Sequence, residues 1–470
     1  MTKVPVVAIV GRPNVGKSTL FNALTRRRDA LVADLPGVTR DRIYGRALLA
    51  GRPAVIIDTG GLDKAMDRVG QGAQGQTRLA MEEADLLVLV TDARAGVLPA
   101  DHDIVVELRR LDKPVVHVVN KTDGLDRDVA LAEASELGVG EARAISASHR
   151  QGLAGLEEAL AQALPEAGDH EQTGQTPEVP GLALVGRPNV GKSTLLNRLL
   201  GEERALATPV PGTTRDPIHA IVERDGLRLE LIDTAGIRRR RGSHQGVERF
   251  STIKSLQAIE QAQLVCVICD GTEGVTDQDA RLVGHVIEAG RGLLVVLNKW
   301  DGIDEERRRQ LLSEVSERLD FARFAPVVVI SALHGSGLGE LTDAVEHVHR
   351  AGSKSLATGA LTRVLRDAVD AHPLPAAAGR APKLRYAHAG GQFPTRIIIH
   401  GNRTSHVADS YRRYLANRFR AAFDLVGIPV HLVFRDSDNP YAGRRNRLTP
   451  RQMQKRRRLR KFDLKRTKRR

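Results

Sequence analysis

Two stretches of this chain could do chemistry on a phosphate: VGRPNVGKSTL at residues 10–20 and, letter for letter, the same eleven residues at 185–195. Each contains the pattern G-x-x-x-x-G-K-[ST], running through Gly11, Arg12, Pro13, Asn14, Val15, Gly16, Lys17 and Ser18, and again through Gly186, Arg187, Pro188, Asn189, Val190, Gly191, Lys192 and Ser193. Glycines let such a loop wrap tightly, so that backbone N–H groups converge on phosphate oxygens at a helix N-terminus. Lys17 and Lys192 are expected to hold the β- and γ-phosphates, and Ser18 and Ser193 to offer a hydroxyl to Mg²⁺.

A phosphate loop leaves the base open. NKTD (Asn120, Lys121, Asp123) and NKWD (Asn298, Lys299, Asp301) select guanine, because a carboxylate accepts from N1–H and the 2-amino group together. Adenine lacks that donor pair and leaves the carboxylate unmatched. Asn120 and Asn298 are expected to tie this segment to the phosphate loop, with the stems of Lys121 and Lys299 lying along the base. The Ser-Ala pairs Ser146–Ala147 and Ser331–Ala332 are expected to present backbone N–H to the guanine O6.

Two DTxG segments complete the sets: Asp58, Thr59, Gly60 and Gly61, then Asp233, Thr234, Ala235 and Gly236. Asp58 and Asp233 are placed for a Mg²⁺-side carboxylate, and Gly61 and Gly236 for a backbone N–H to the γ-phosphate. Thr39 and Thr214, in PGVTRD and PGTTRD, are the switch threonines expected to close on Mg²⁺ and γ-phosphate. After DTxG, where a glutamine would orient the attacking water, stand Leu62 and Ile237. An aliphatic side chain cannot orient water, so hydrolysis is expected to be slow without another source of charge.

The elements that must position these residues occur twice. LLVLVTDA (86–93) matches LVCVICDG (264–271), NKTD matches NKWD, and ISAS (145–148) matches ISAL (330–333), always in the same order. Insertions fall between motifs, as in two copies of one domain. Short aliphatic runs apolar on both faces alternate with helical stretches, which predicts largely parallel sheets flanked by helices. The boundaries read as GTPase domains at 1–163 and 182–352, joined by a flexible acidic linker at 164–181. A different αββαβ pattern follows at 353–440, with Tyr411, Leu415, Phe419 and Phe423 forming one core-facing stripe of a helix. A basic tail at 441–470 is expected to be disordered.

Charge is concentrated in that tail. Residues 444–470 hold fifteen Lys/Arg and one acid, Asp463, and so carry the whole formal charge of +14. Such density neutralises phosphates without reading sequence, and with Phe462 as the tail's one aromatic past 443 it offers no stacking series. RRRR (238–241) reads equally as an RNA contact exposed by the switch or as a solvated loop. Cys266 and Cys269 lack a second pair and read as core residues rather than half a metal site. No stretch has the length of an apolar membrane span, and the N-terminus lacks a signal-peptide layout, so a cytoplasmic protein with no membrane partner is expected.

The tandem order of GRPNVGKST, PG[VT]TRD, DT[GA]G and NKxD, followed by the αββαβ-like region, resembles the Der (EngA) family of bacterial double GTPases. The match spans about 4–440. The resemblance implies a KH-like C-terminal domain, binding to the 50S ribosomal subunit and its rRNA, a role in large-subunit biogenesis, and a monomer. It also implies Mg²⁺-dependent hydrolysis stimulated by K⁺, with Asn14 and Asn189 as ion ligands. One departure stands out: no GxxG RNA clamp occurs in 355–440, where the nearest glycines are Gly390-Gly391, and this domain is then expected to dock against the GTPase domains. A tRNA-modification GTPase is the competing enzyme reading; it calls for a catalytic cysteine or cofactor domain that the chain does not display. A passive RNA-binding protein is opposed by complete motifs in both copies.

Overall fold

This computed structural model describes residues 4–25, 44–60, 78, 80–165, 179–201, 220–224, 227–232, 252–375 and 381–436. Thr39, Gly61, Leu62, Thr214, Asp233, Thr234, Ala235, Gly236 and Ile237 therefore lie outside the described residues. So do RRRR (238–241), the glycines at 70, 72 and 75, most of the 164–181 linker and the basic tail.

The aliphatic runs of the first repeat form β1 (Val6–Val10), β2 (Tyr44–Leu49), β3 (Arg52–Asp58), β4 (Leu86–Asp92), β5 (Val115–Asn120) and β6 (Ala142–Ala144). They make one six-stranded sheet in the order β2-β3-β1-β4-β5-β6. Every pairing is parallel except β2 with β3. Strands β1 and β4 are buried on both faces, which is why they read as unbroken apolar runs. Helices α1 (Lys17–Thr25), α2 (Pro99–Arg110), α3 (Arg127–Ser135) and α4 (Leu153–Ala163) belong to this unit.

The second repeat builds the same sheet. Strands β7 (Gly181–Val185), β8 (Ala220–Arg224), β9 (Leu227–Ile232), β10 (Leu264–Asp270), β11 (Gly292–Asn298) and β12 (Val327–Val329) order as β12-β11-β10-β7-β9-β8. Its helices are α5 (Lys192–Gly201), α6 (Thr252–Gln261), α7 (Asp277–Ala289), α8 (Glu305–Arg318) and α9 (Leu338–Gly352). Again only the edge pair, β8 with β9, is antiparallel. Cys266 and Cys269 point to opposite faces of β10 and sit in different core clusters. Burial pushes the Cys266 thiol up to about 12. No helix among the described residues is long and apolar enough to cross a membrane.

The third unit runs α10 (Thr358–Ala371), β13 (Lys383–Gly391), β14 (Thr395–Asn402), α11 (Asp409–Phe423) and β15 (Val430–Asp436). Its sheet pairs β13 with β14 antiparallel and β14 with β15 parallel. Tyr411, Leu415 and Phe419 of α11 are buried, and Phe423 packs against the same cluster at its margin. That cluster continues without a break into α9 and β11, so the third unit and the second GTPase unit share one core. Gly427 sits where they meet: its φ is +71°, and a Cβ there would lie 2.5 Å from Val348. Its carbonyl accepts from the Leu293 N–H at 2.7 Å, and its N–H donates to the Phe324 carbonyl at 2.8 Å.

The two GTPase units also touch. Arg46 of β2 donates to the Glu260 carboxylate of α6 at 2.8 Å and to the Glu288 carbonyl at 2.7 Å. Arg291 in turn donates to the Glu260 carbonyl at 2.5 Å and to the Phe393 carbonyl of the third unit at 3.1 Å. Glu260 is buried, so this acid stands between guanidinium groups where all three units meet.

Candidate functional site

Both phosphate loops join the carboxyl end of a buried strand to a helix: β1 to α1, and β7 to α5. Asn14 and Asn189 adopt left-handed φ values of 67° and 63°. Gly16 and Gly191 take φ of +100° and +97°, and a Cβ on either would lie 2.3 or 2.1 Å from the amide nitrogen of Asn120 or Asn298. Only glycine lets the Asn120 and Asn298 side chains press so closely on the loops. Lys17 is buried and donates to the Gly11 and Arg12 carbonyls at 2.5 and 2.8 Å. Lys192 repeats this on Gly186, at 2.9 Å, and on Arg187. Val15 and Val190 are buried beneath the loops, whereas Pro13, Asn14, Ser18, Pro188 and Asn189 are exposed; Ser193 is half-buried.

The loop arginines are fastened from behind. Arg12 Nε donates to Asp101 Oδ1 at 2.7 Å, and Arg187 Nε to Asp279 at 3.1 Å. Both aspartates are fully buried at the start of α2 and α7, where the same carboxylates accept the Leu98 and Thr276 N–H at 3.0 Å. Sequence reading missed these two acids, although they stand at one offset in the repeat, as do Arg12 and Arg187.

The NKTD and NKWD segments begin at the last residues of β5 and β11. Asn120 Nδ2 donates to the Val15 carbonyl at 2.9 Å, and Asn298 Nδ2 to Val190 at 2.8 Å, which joins base strand to phosphate loop. Their Oδ1 atoms accept the Ala147 and Ala332 N–H at 3.0 and 2.9 Å. The Ser146 and Ser331 N–H groups bond to the Gln151 and Ser336 carbonyls. A guanine O6 reaching these Ser-Ala pairs must therefore share an amide already in use. Lys121 and Lys299, both left-handed at φ 64°, donate to Asp92 and Asp270 at 2.6 Å. These two acids, closing β4 and β10, were also missed, and they hold the two lysine side chains at the ends of those strands. Burial alone would raise Asp270, but the Lys299 ammonium and Thr272 hydrogen bonds outweigh it and hold the carboxyl below its ordinary range.

Asp123 and Asp301 are kept ionised by neighbouring hydroxyls. The Ser146 hydroxyl, donating at 2.8 Å, is the largest influence lowering Asp123, and Ser331 does the same for Asp301. The pockets differ in one respect. Asp123 Oδ2 also accepts from the Arg94 guanidinium at 2.5 Å, and the aligned position in the second unit is Thr272; each acid faces a histidine, His149 at 3.8 Å from Asp123 and His334 at 3.4 Å from Asp301. A guanidinium presents paired donors to a carboxylate, and Arg94 directs one of them at Asp123.

Asp58 is buried at the carboxyl end of β3, its Oδ1 accepting the Gly60 N–H at 3.1 Å. Thr59 turns inward, donating its hydroxyl to the Ile9 carbonyl at 2.7 Å. A Cβ on Gly60 would lie 2.7 Å from Lys17 Cε, so the DTxG turn runs against the phosphate-loop lysine. The Ser18 hydroxyl and Asp58 carboxylate supply only hard oxygen donors, which suits Mg²⁺.

Comparison with known proteins fits this geometry. A family profile described as "50S ribosome-binding GTPase" matches residues 6–121 and again 181–299. A second, described as the KH-domain-like C-terminal region of EngA bacterial GTPase enzymes, matches 356–435. Among curated relatives, GTPase Der of Methylococcus capsulatus is 50% identical over 457 residues, covering 97% of this chain and 98% of that one. GTPase Der of Shigella flexneri is 49% identical over 483 residues, covering 97% and 99%. The solved structure of Era from Aquifex aeolicus bound to GDP·AlF₄⁻ is 20% identical over 55% of this chain and 93% of that one, with a TM-score of 0.26.

Proposed function

We propose, from the premise that this chain belongs to the Der (EngA) family and is a GTPase with two GTP sites and a KH-like C-terminal domain, that it binds ribosomal particles and assists biogenesis of the large (50S) subunit. The observation that carries the reading is the paired construction of its sites. In each unit one buried asparagine holds phosphate loop, base strand and Ser-Ala loop together. Two switches in one chain allow conformations that depend on which pockets hold GTP.

In this reading Lys17 and Lys192 neutralise the transferring phosphate, and Gly61 and Gly236 donate N–H to it. Mg²⁺, held by Ser18, Thr39 and Asp58 in one unit and Ser193, Thr214 and Asp233 in the other, supplies charge that offsets the phosphates. Asn14 and Asn189 would hold K⁺, which would supply positive charge at the phosphates where Leu62 and Ile237 cannot orient water. The units are proposed as domains at 1–163 and 182–352, with the KH-like domain at 353–440, in a cytoplasmic monomer. The description "50S ribosome-binding GTPase" of the matching profile and the basic tail both support a ribosomal partner.

Asp123→Asn and Asp301→Asn, each in the full chain, test base choice and partner together. Each substitution exchanges an acceptor for a donor and is expected to move its pocket from guanosine to xanthosine nucleotides. Co-sedimentation with 50S-sized particles in a non-hydrolysable GTP analogue should fall in at least one variant and return with the xanthosine analogue. Unaltered GTP affinity in both variants refutes the base assignment; sedimentation indifferent to nucleotide refutes the switch.

A further inference from the structure

The three-stranded sheet of the KH-like domain has two unlike faces. Ala387, Ile397, Ile399 and Leu432 are buried beneath α10 and α11. The register sets the other face in rows across the strands: Tyr386 opposite His400 opposite Arg435, then His388, Ile398 and Val433. Tyr386 is 43% exposed, Arg435 is exposed, and the other four are half-buried. The rings stand nearly parallel: Tyr386 and His400 have centroids 4.5 Å apart at 6°, and His388 and His400 lie 5.2 Å apart at 23°. The shielded Nε2 of His400 finds no hydrogen-bond partner among the described residues. No acidic residue occupies these two rows, and Arg385 and Arg396 border them. At its far end His431 meets the Ile287 carbonyl at 3.0 Å, where the second GTPase unit closes the face.

We propose that this outer sheet face binds unpaired RNA, with bases extending the ring stack of Tyr386, His388 and His400 and phosphates meeting Arg435, Arg385 and Arg396. Stacked rings on an open sheet accept any flat base, because every base has a π-face. Duplex RNA hides its bases and cannot use such a ladder. Charge argues for nucleic acid over a protein segment. The face is basic, and in the sequence its last strand ends at Asp436, ahead of the fifteen Lys/Arg of 444–470. Stacking is thus assigned to the sheet face itself, with no glycine clamp. The inference deepens the ribosomal reading and rests on it only for where the RNA comes from.

The test is fluorescence anisotropy of a labelled eight-nucleotide adenosine RNA with the full chain over a range of KCl. Replacing Tyr386→Ala and His400→Ala together should weaken binding roughly tenfold at every salt concentration. The slope of log affinity against log salt should not change, because no phosphate contact is removed. Tyr386→Trp should restore affinity, and a duplex of equal length should bind parent and variant alike. Unchanged single-strand affinity, or an equal loss for duplex, overturns the proposal. Guanine-nucleotide binding by the double variant reports that both pockets are intact. Should that variant not fold, photocrosslinking of 5-iodouridine RNA to the unsubstituted chain decides. Crosslinks between Lys383 and His400 support the face, and crosslinks confined to 444–470 refute it. Either result leaves the nucleotide pockets, and so the assignment as a GTPase, untouched.

Discussion

Asn298→Ala should damage the second GTPase unit before any nucleotide binds. The side chain is 2% exposed and satisfies two groups at once, the Val190 carbonyl at 2.8 Å and the Ala332 N–H at 2.9 Å. Truncation leaves both without their partner, and a buried unsatisfied backbone group costs about 1–3 kcal/mol. A water admitted to the vacated space recovers part of that, which sets the expected loss at about 2–4 kcal/mol. Trp300, the chain's only tryptophan, lies two residues along, half-buried, with the Arg308 guanidinium 5.9 Å from its ring centroid. Its fluorescence therefore reports unfolding of this unit directly. With a urea dependence of roughly 2 kcal/mol per molar, the midpoint should drop by about 1–2 M. Asn298→Asp keeps the acceptor for Ala332 and loses the donor to Val190, and should fall between. Asn120→Ala, which breaks the matching bonds in the first unit, should disturb the Trp300 transition less. A shift below about 0.3 M for Asn298→Ala would show that this asparagine is dispensable to the empty pocket, and the account of it as a structural tie would be wrong.

Other outcomes follow from the same contacts. Glu260→Gln removes a buried carboxylate that Arg46 and Arg291 share, and should lower stability by about 3 kcal/mol in thermal melting. Arg46→Ala, whose side chain is 40% exposed, should cost less, about 1 kcal/mol. Burial lowers both His117 and His431 to about 4, so each stays neutral in the native chain. The unfolded chain takes up those protons below about pH 6.5, so stability is full above that pH and lost as pH falls towards 4. Melting midpoints measured down that range should fall less steeply in His431→Gln. Arg94→Ala should tighten GDP binding at the first pocket a few-fold in nucleotide titrations, because the competing guanidinium is gone. Cys266 and Cys269, fully buried, should resist alkylation until urea unfolds the chain, when both react.

Much of this was legible in the repeat. A motif that recurs in register fixes strand, loop and helix together, so β1 to α1 and β7 to α5 could be placed from eleven letters. The antiparallel edge strands β2 and β8 were not, because an edge strand buries few residues; in β2 only Ala47 and Leu49 are buried. Asp101 and Asp279 were overlooked for a different reason. An acid near a helix start reads as an ordinary cap, and nothing local says that its carboxylate also reaches Arg12 or Arg187 in the loop after the neighbouring strand. Arg94 carries no such signal, because it marks a difference between the copies: its counterpart is Thr272. Contacts such as Arg46 with Glu260, separated by more than two hundred residues, leave no periodic signal at all.

The meeting of Gly427 with Leu293 and Phe324 constrains how this gene can be divided. A fragment ending at Gly352 would strip strand β11 of a backbone partner and bare Val348 to water. A fragment beginning at Thr358 would expose the complementary surface. Expression of either piece alone should yield insoluble or partly folded material. For protein engineering, residues 181–436 form the smallest cassette that leaves this seam uncut.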